Sequence, residues 1–407
     1  MACSKELCIP KPWIKYHNEI VKEPIDPKLF SLDKLCAWLK ELDLCHNKSD
    51  IEKYVLHTKP YHLVRHLVVL LPNDALCRKL FTLWANTALA LFISDDVLEL
   101  RSDVEMRQIC DAFQLLDNHI REQFPQFPTI AEMKKFLLSQ KLDEKFIPHV
   151  IYFQDFSNNV AKTIMELSNF SEEEVKYFWR RLVVMIALYY EGVNDEVKHT
   201  IGLYSLNVWT RLLAAGAMIW VFSLEIMSGV LGKTTQHLPL LNELYFNATF
   251  FAMVVNDIYS YKREMSLDAS ICNIVQTLIV GKEAVGEYEA VQKCVEILNA
   301  VIKVSYQKIE KAKQENPDDQ NLWKLLDNIG MATAGWYFIE HFSPRYDDSP
   351  WRLSVVAVED AELQEWRQCA DEDPPKEVQP LLINHSAKAK RISDAIISGN
   401  VNIYGNL

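Results

Sequence analysis

Two apolar runs in this chain each end in oxygen-bearing side chains set at helical spacing, and that pairing constrains the fold more than any other feature. Ala88-Leu89-Ala90-Leu91-Phe92-Ile93 leads into Asp95-Asp96-Val97-Leu98-Glu99. On an α-helix Asp95 and Glu99 stand one turn apart, with Asp96 beside them. Phe250-Phe251-Ala252-Met253-Val254-Val255 leads into Asn256-Asp257-Ile258-Tyr259-Ser260-Tyr261-Lys262-Arg263-Glu264. Asn256, Ser260 and Glu264 fall at i, i+4 and i+8 and share one stripe. A lone Asp-Asp-x-x-Glu is ordinarily a solvated helix surface. Two such clusters, each closing an apolar helix, read instead as facing walls of a Mg²⁺–phosphate site, because Mg²⁺ takes hard oxygen ligands and substrate phosphates.

The rest of the composition agrees with an all-α protein. Only 11 of 407 residues are glycine, against a usual ~7%. Hydrophobic residues make up 49%, enough for a sizeable core. The net charge of −12 excludes a broad nucleic-acid-binding face. An acidic protein that binds a diphosphate must therefore gather cations locally. Nine cysteines are scattered without a C-x-x-C pair, which argues against a disulfide frame or a zinc site and fits a reducing compartment. The window Leu212–Leu224 reads as the most apolar and is far short of the ~20 residues of a membrane span. No leader is recognisable after Met1, so a cytoplasmic location with no membrane span is expected.

Start and stop signals divide the chain. Ser102/Glu105, Thr129/Glu132 and Ser171/Glu174 are capping boxes. Pro72-Asn73-Asp74 opens the helix of the first motif, and Pro239 lies near the start of the second. Gly229 and Gly232 punctuate the segment between, and Asn316-Pro317-Asp318-Asp319 separates two late helices. No sustained alternation with hairpin turns is present, so no sheet is expected. The expected organisation is a single helical bundle over 31–346, an N-terminal strap over 1–30 containing Pro10, Pro12, Pro24 and Pro27, and a tail over 347–407, partly helical or flexible.

The two motifs resemble those of class I terpene synthases, an aspartate-rich motif followed by (N/D)-D-x-x-(S/T)-x-x-(K/R)-E. The second match is complete; the first ends in Glu99 where Asp is usual. The pattern is closest to the microbial and coral type. It implies the class I isoprenoid-synthase fold and a Mg²⁺-dependent lyase that ionises a prenyl diphosphate, with three ions expected and Mn²⁺ able to substitute. Asp95, Asp96 and Glu99 are then the metal ligands of one wall, and Asn256, Ser260 and Glu264 those of the other. Arg263 fills the basic slot, and Arg345-Tyr346 resembles the late Arg-Tyr pair that reaches the diphosphate on closure. Arg211 lies near the spacing of the family's diphosphate-sensing arginine, although Leu212-Leu213 and Ala215-Gly216 stand where the family shows a second Arg and Thr-Gly.

A carbocation needs a cavity that excludes water and presents ring faces, each worth roughly 0.5–2 kcal/mol. Phe92 is three residues before Asp95, one turn deeper, and Leu89 is next below. Trp209, Phe250 and Trp336 are further aromatic candidates, and His341 reads as a packed side chain. Gly216 allows either a helix break whose carbonyl faces substrate or close helix packing. Geranylgeranyl diphosphate and a diterpene product are the first expectation, with farnesyl diphosphate the alternative. A chain-elongating prenyltransferase is disfavoured because the mirrored second Asp-Asp-x-x-Asp is absent, and a non-catalytic isoprenoid-binding protein because both ligand sets are intact. A monomer or homodimer is expected.

Overall fold

Helix starts are where the local chemistry puts them. In the computed structural model, which describes residues 6–69, 74–98, 101–199, 208–266, 272–368, 376 and 378–399, all three capping boxes close. The Ser102 hydroxyl accepts from Glu105 N while the Glu105 carboxylate accepts from Ser102 N, and Thr129/Glu132 and Ser171/Glu174 repeat the exchange. Asp74 accepts from Cys77 N at 2.7 Å and so caps the helix of the first motif; Pro72 and Asn73 lie outside the described residues. Asp319 caps the last long helix through Leu322 N.

The helices that build the site are α1 (Pro60–Leu67), α2 (Ala75–Leu98), α3 (Ile147–Leu167), α4 (Glu172–His199), α5 (Val208–Ala214), α6 (Ala217–Phe222), α7 (Leu238–Ser266), α8 (Glu287–Glu315) and α9 (Gln320–Phe342). Helix α7 packs along α9 and against α6 and α8. Helix α4 packs on α5, and α2 lies between α1 and α3. The bundle is the expected all-α architecture. Its core is continuous from α2 to α9 and includes the fully buried Trp84, Trp179, Tyr152, Tyr245 and Tyr259. Each large side chain removed from water contributes roughly 1.5–3 kcal/mol.

Two features depart from the sequence reading. The first is a two-stranded parallel sheet, in which β1 (Glu6–Pro10) pairs with β2 (Ser354–Val358), Glu6 opposite Ser354 and Pro10 opposite Val358. Five-residue strands from opposite ends of a chain carry too little alternation, and no hairpin turn, to register in a local pattern. The second concerns apolarity. By length and composition, Ala75–Leu98 and Thr235–Ser266 are each long and apolar enough to cross a membrane, which the Leu212–Leu224 window had overshadowed. Their most apolar windows are 61% and 89% buried inside the bundle, so both serve as core helices.

The ends of the chain wrap this bundle. Beyond β1, Trp13, His17 and Ile20 are buried, and His17 joins α1 to α9: its Nδ1 is 2.9 Å from His66 Nδ1 and its Nε2 is 3.0 Å from Met331 O. After β2, helix α10 (Asp360–Gln368) packs on α8, and α11 (Ala387–Ser398) packs on α4 and α7, where Asn242 donates to Ser393. The acidic stretch Asp371–Pro375 lies outside the described residues.

Candidate active site

Helix α2 supplies the first wall. Asp95 accepts from the Tyr189 hydroxyl at 3.3 Å, and burial pushes its carboxyl up to about 6, with Arg345 pulling the other way. Asp96 accepts from Arg345 Nη2 at 2.7 Å and from the Tyr54 hydroxyl at 3.2 Å. Phe92, one turn deeper, lies under the Arg345 guanidinium, 5.3 Å from ring centroid to carbon. Glu99 lies outside the described residues.

Helix α7 supplies the second. Asn256 Nδ2 donates to the Tyr346 hydroxyl at 2.8 Å and to Glu340 Oε1 at 3.4 Å. The Ser260 hydroxyl donates to Asn256 O, and Glu264 accepts from Asn273 Nδ2 at 2.8 Å. Asp257, one residue off the stripe, is fully buried and accepts from Arg211 and from Ile274 N. It is a structural acceptor.

A broken helix brings Arg211 to these walls. Helices α5 and α6 meet at a bend of 65° between Val208–Ala214 and Ala217–Met227. Gly216 has φ +66°, which a glycine adopts without Cβ strain. Its carbonyl accepts from Ile219 N, and a Cβ there would meet the Tyr189 ring at 3.3 Å. The break is therefore real, while that carbonyl is engaged within the next helix. At Gly192 of α4, a Cβ would lie 2.4 Å from Ala214 N, so only glycine lets α5 approach this closely. Arg211 then donates to Asp257 Oδ1 at 3.0 and 2.6 Å and to Glu196 Oε1 at 3.1 Å. Burial raises Asp257 to about 6 and Glu196 to about 8, with Arg211 opposing both.

The 3-10 turn Pro344–Tyr346 brings Arg345 and Tyr346 to the same cavity, with Ser343 capping Arg345 N at 3.3 Å. Together these elements enclose a cavity of about 80 Å³. Asp95, Phe92, Arg211, Asn256, Arg263, Glu264, Trp336, Arg345 and Tyr346 line it. The buried Nε of Arg263 has no hydrogen-bond partner among the described residues. Asp96 and Ser260 stand behind this surface, touching Arg345 and Asn256. Leu89 is fully buried elsewhere in the core, and Trp209 packs on Phe246 and donates to Pro380 O, away from the cavity. Phe250 is likewise core, and His341 packs against Tyr259 through a 2.9 Å hydrogen bond. Sequence reasoning missed Glu340, Tyr189, Glu196 and Asn273. A lone acid within the apolar run that precedes Arg345 was the one available signal for Glu340.

The donor set suits Mg²⁺: Asp95, Asn256 and Glu264 bring oxygen acceptors to the cavity, and a buried carboxylate oxygen, Glu340 Oε2, has no partner among the described residues. Among those residues no three His, Cys, Asp or Glu side chains converge closely enough to hold an ion alone. An ion here would complete its sphere with substrate oxygens and water, as Mg²⁺ ordinarily does.

A helical bundle with acidic and amide side chains from two helices, an arginine at a helix break and an Arg-Tyr pair on one cavity has the form of a class I terpene synthase. Residues 86–303 match the family model described as terpene synthase family 2, C-terminal metal binding, and the chain belongs to this family. No curated protein matches the sequence. Among solved structures, the chain is similar to a single-residue mutant of SVS_A2, a protein from ancestral sequence reconstruction (TM-score 0.58, 15% identity, 98% of each chain covered). It is also similar to 2-methylisoborneol synthase from Streptomyces coelicolor A3(2), solved with Mg²⁺ and geranyl-S-thiolodiphosphate (TM-score 0.52, 16% identity, 84% of this chain and 96% of that one). A third similar structure is linalool/nerolidol synthase from Streptomyces clavuligerus with 2-fluorogeranyl diphosphate (TM-score 0.55, 12% identity, 84% and 99%). At these identities the likeness is one of fold.

Proposed function

We propose that this terpene synthase ionises an acyclic prenyl diphosphate and cyclises the resulting carbocation, with geranylgeranyl diphosphate as substrate and a diterpene as product. The observation that carries the reading is the convergence of Asp95, Asn256, Glu264, Arg211, Arg263 and Arg345 on one cavity that Leu63, Ala88, Leu91, Ala252 and Met253 also line. Asp95 and Asp96 on one wall and Asn256, Ser260 and Glu264 on the other would hold Mg²⁺, three ions in all, with Mn²⁺ as a substitute. When bound, the ions supply Lewis-acid neutralisation of the departing diphosphate.

The chain's own groups do the rest. Arg211, Arg263 and Arg345 offer guanidinium forks to phosphate oxygens, and Tyr346 one hydroxyl. Phe92 and Trp336 present rings to the cation. The turn carrying Arg345 and Tyr346 shields the mouth from water. We read 31–346 as the catalytic domain, with 1–30 and 347–407 as its wrapping.

Chain length is supported by the small residues Ala88, Ala214, Ala215, Ala217 and Ala252 around the cavity, which leave room for a long chain. Farnesyl diphosphate is the competing substrate. Incubating the purified protein with C10, C15, C20 and C25 diphosphates and Mg²⁺, followed by gas chromatography, separates them. A cyclic C20 hydrocarbon or alcohol is expected; turnover confined to C15 would replace the diterpene reading.

A further inference from the structure

Glu340 is a buried carboxylate in α9, 4% exposed, that lines the cavity beside the Asn256 amide. Buried carboxylates normally have all their oxygens satisfied, because desolvating an unpaired one is costly. Here Oε1 takes one bond, from Asn256 Nδ2 at 3.4 Å, and Oε2 has none among the described residues. Burial pushes the Glu340 carboxyl up to about 7, and hydrogen bonding from Asn256 and Tyr346 and the charges of Arg345 and Arg263 oppose that rise.

A role follows from the symmetry of an amide. The Oδ1 and Nδ2 of asparagine are nearly identical in shape, so packing alone does not choose which way the group faces. The two hydrogens of Asn256 Nδ2 go to Tyr346 and to Glu340. A tyrosine hydroxyl both donates and accepts, so Tyr346 would satisfy Asn256 in either orientation. A carboxylate oxygen facing the amide accepts only. With the amide reversed, Oδ1 would be set against Glu340 Oε1, acceptor against acceptor. Of the two partners, only Glu340 distinguishes the nitrogen from the oxygen.

We propose that Glu340 is a positioning residue that fixes the Asn256 amide so that Oδ1, the atom engaged by neither neighbour, is the one offered to the metal. The inference rests on the reading of Asn256 as a metal ligand. It also links the opposite face of the site to α9. Groups that orient ligands in this way typically change metal affinity 10–100-fold when removed.

The test is Mn²⁺ binding in the presence of inorganic diphosphate, followed by titration calorimetry and electron paramagnetic resonance without turnover. Glu340→Ala is expected to weaken Mn²⁺ binding about tenfold. Glu340→Gln, which keeps one acceptor oxygen, should bind within about threefold of wild type. Asn256→Asp carries oxygen at both positions and needs no orientation, so adding Glu340→Ala to it should not weaken binding further. An equal loss from Glu340→Ala in the wild-type and Asn256→Asp backgrounds, or no loss in either, overturns the proposal while leaving the metal-site reading intact. If Asn256→Ala itself leaves Mn²⁺ binding unchanged, the ligand reading falls and the positioning role falls with it. Should Glu340→Ala fail to fold, Glu340→Met removes the acceptor at similar volume and carries the same expectation.

Discussion

Arg345 Nη2 lies 2.7 Å from Asp96 Oδ1, so a residue late in the chain holds the acidic end of α2. The guanidinium also lies over Phe92, and its buried Nε has no hydrogen-bond partner among the described residues. Under the proposed function, this one side chain would serve both recognition of the diphosphate and closure of the mouth. Arg345→Ala should slow ionisation by about a hundredfold, the scale of losing one preorganised charge donor. Single-turnover kinetics measure this directly, and an unchanged rate would make the Arg345–Asp96 pair a structural contact only.

Tyr346 should act differently. Its hydroxyl accepts from Asn256, and its buried ring helps to seal the mouth. Tyr346→Phe keeps the ring, so the rate should fall less than in Arg345→Ala. Loss of the hydroxyl loosens the seal, and the share of linear or water-quenched alcohols should rise. Gas-chromatographic product profiling checks the ratio; an identical profile would mean that Tyr346 does not shield the cation.

The Arg211–Asp257 pair should carry stability as well as function. Asp257 is fully buried, and Arg211 is 7% exposed. Asp257→Ala leaves a buried guanidinium with Glu196 as its remaining carboxylate, at a cost of about 3 kcal/mol. Asp257→Asn retains an acceptor and should cost less. Urea denaturation of the metal-free proteins measures both, and equal stability of Asp257→Ala and wild type would show that the pair contributes no net stability.

Acid sensitivity should come from the strap. Burial lowers His17 to about 4 and His66 well below its ordinary value; the neighbouring His17 ring adds to the effect on His66, and Arg65 acts in the same direction on both. Both imidazoles are neutral in the fold but protonate in the unfolded chain below about 6.5. The unfolded state then binds more protons, so stability is full above about 6.5 and is lost as pH falls toward 4. For His17 alone the loss is on the order of 3 kcal/mol. The raised carboxyls Asp95, Asp257, Glu196 and Glu340 have the opposite sign and weaken the metal-free fold as pH rises from about 4, where they titrate unfolded, to about 6–8, so they oppose the histidines over much of the same range. The stability difference between wild type and His17→Gln should therefore change between about pH 6.5 and 4 and stay constant above that range; a difference that is the same at every pH would refute the assignment.

What the sequence made legible was local. Capping boxes need four residues, and the acidic stripes need one helix face, so both were readable. The cavity face of α2 shows where extrapolation failed. At about 100° per residue, Ala88, Leu91 and Phe92 stay within about 60° of Asp95, whereas Leu89 lies about 120° away. Stepping by threes carried the reading off the face. Trp209 is engaged by Phe246 and Pro380, partners distant in sequence that its own segment does not reveal. Glu340 and Tyr189 act through partners far along the chain, which no single-segment pattern encodes. The β1–β2 pair joins residues 6 and 354 and is invisible for the same reason.

The central claim is metal-dependent ionisation at the paired walls, and the most direct measurement is release of inorganic diphosphate from geranylgeranyl and farnesyl diphosphates with Mg²⁺ and with chelator. Wild type should release diphosphate and form a terpene product only with Mg²⁺. Folded Asp95→Ala and Asp96→Ala should each be slower by orders of magnitude. Release that persists under chelator, or near-wild-type release by either folded variant, would contradict the account.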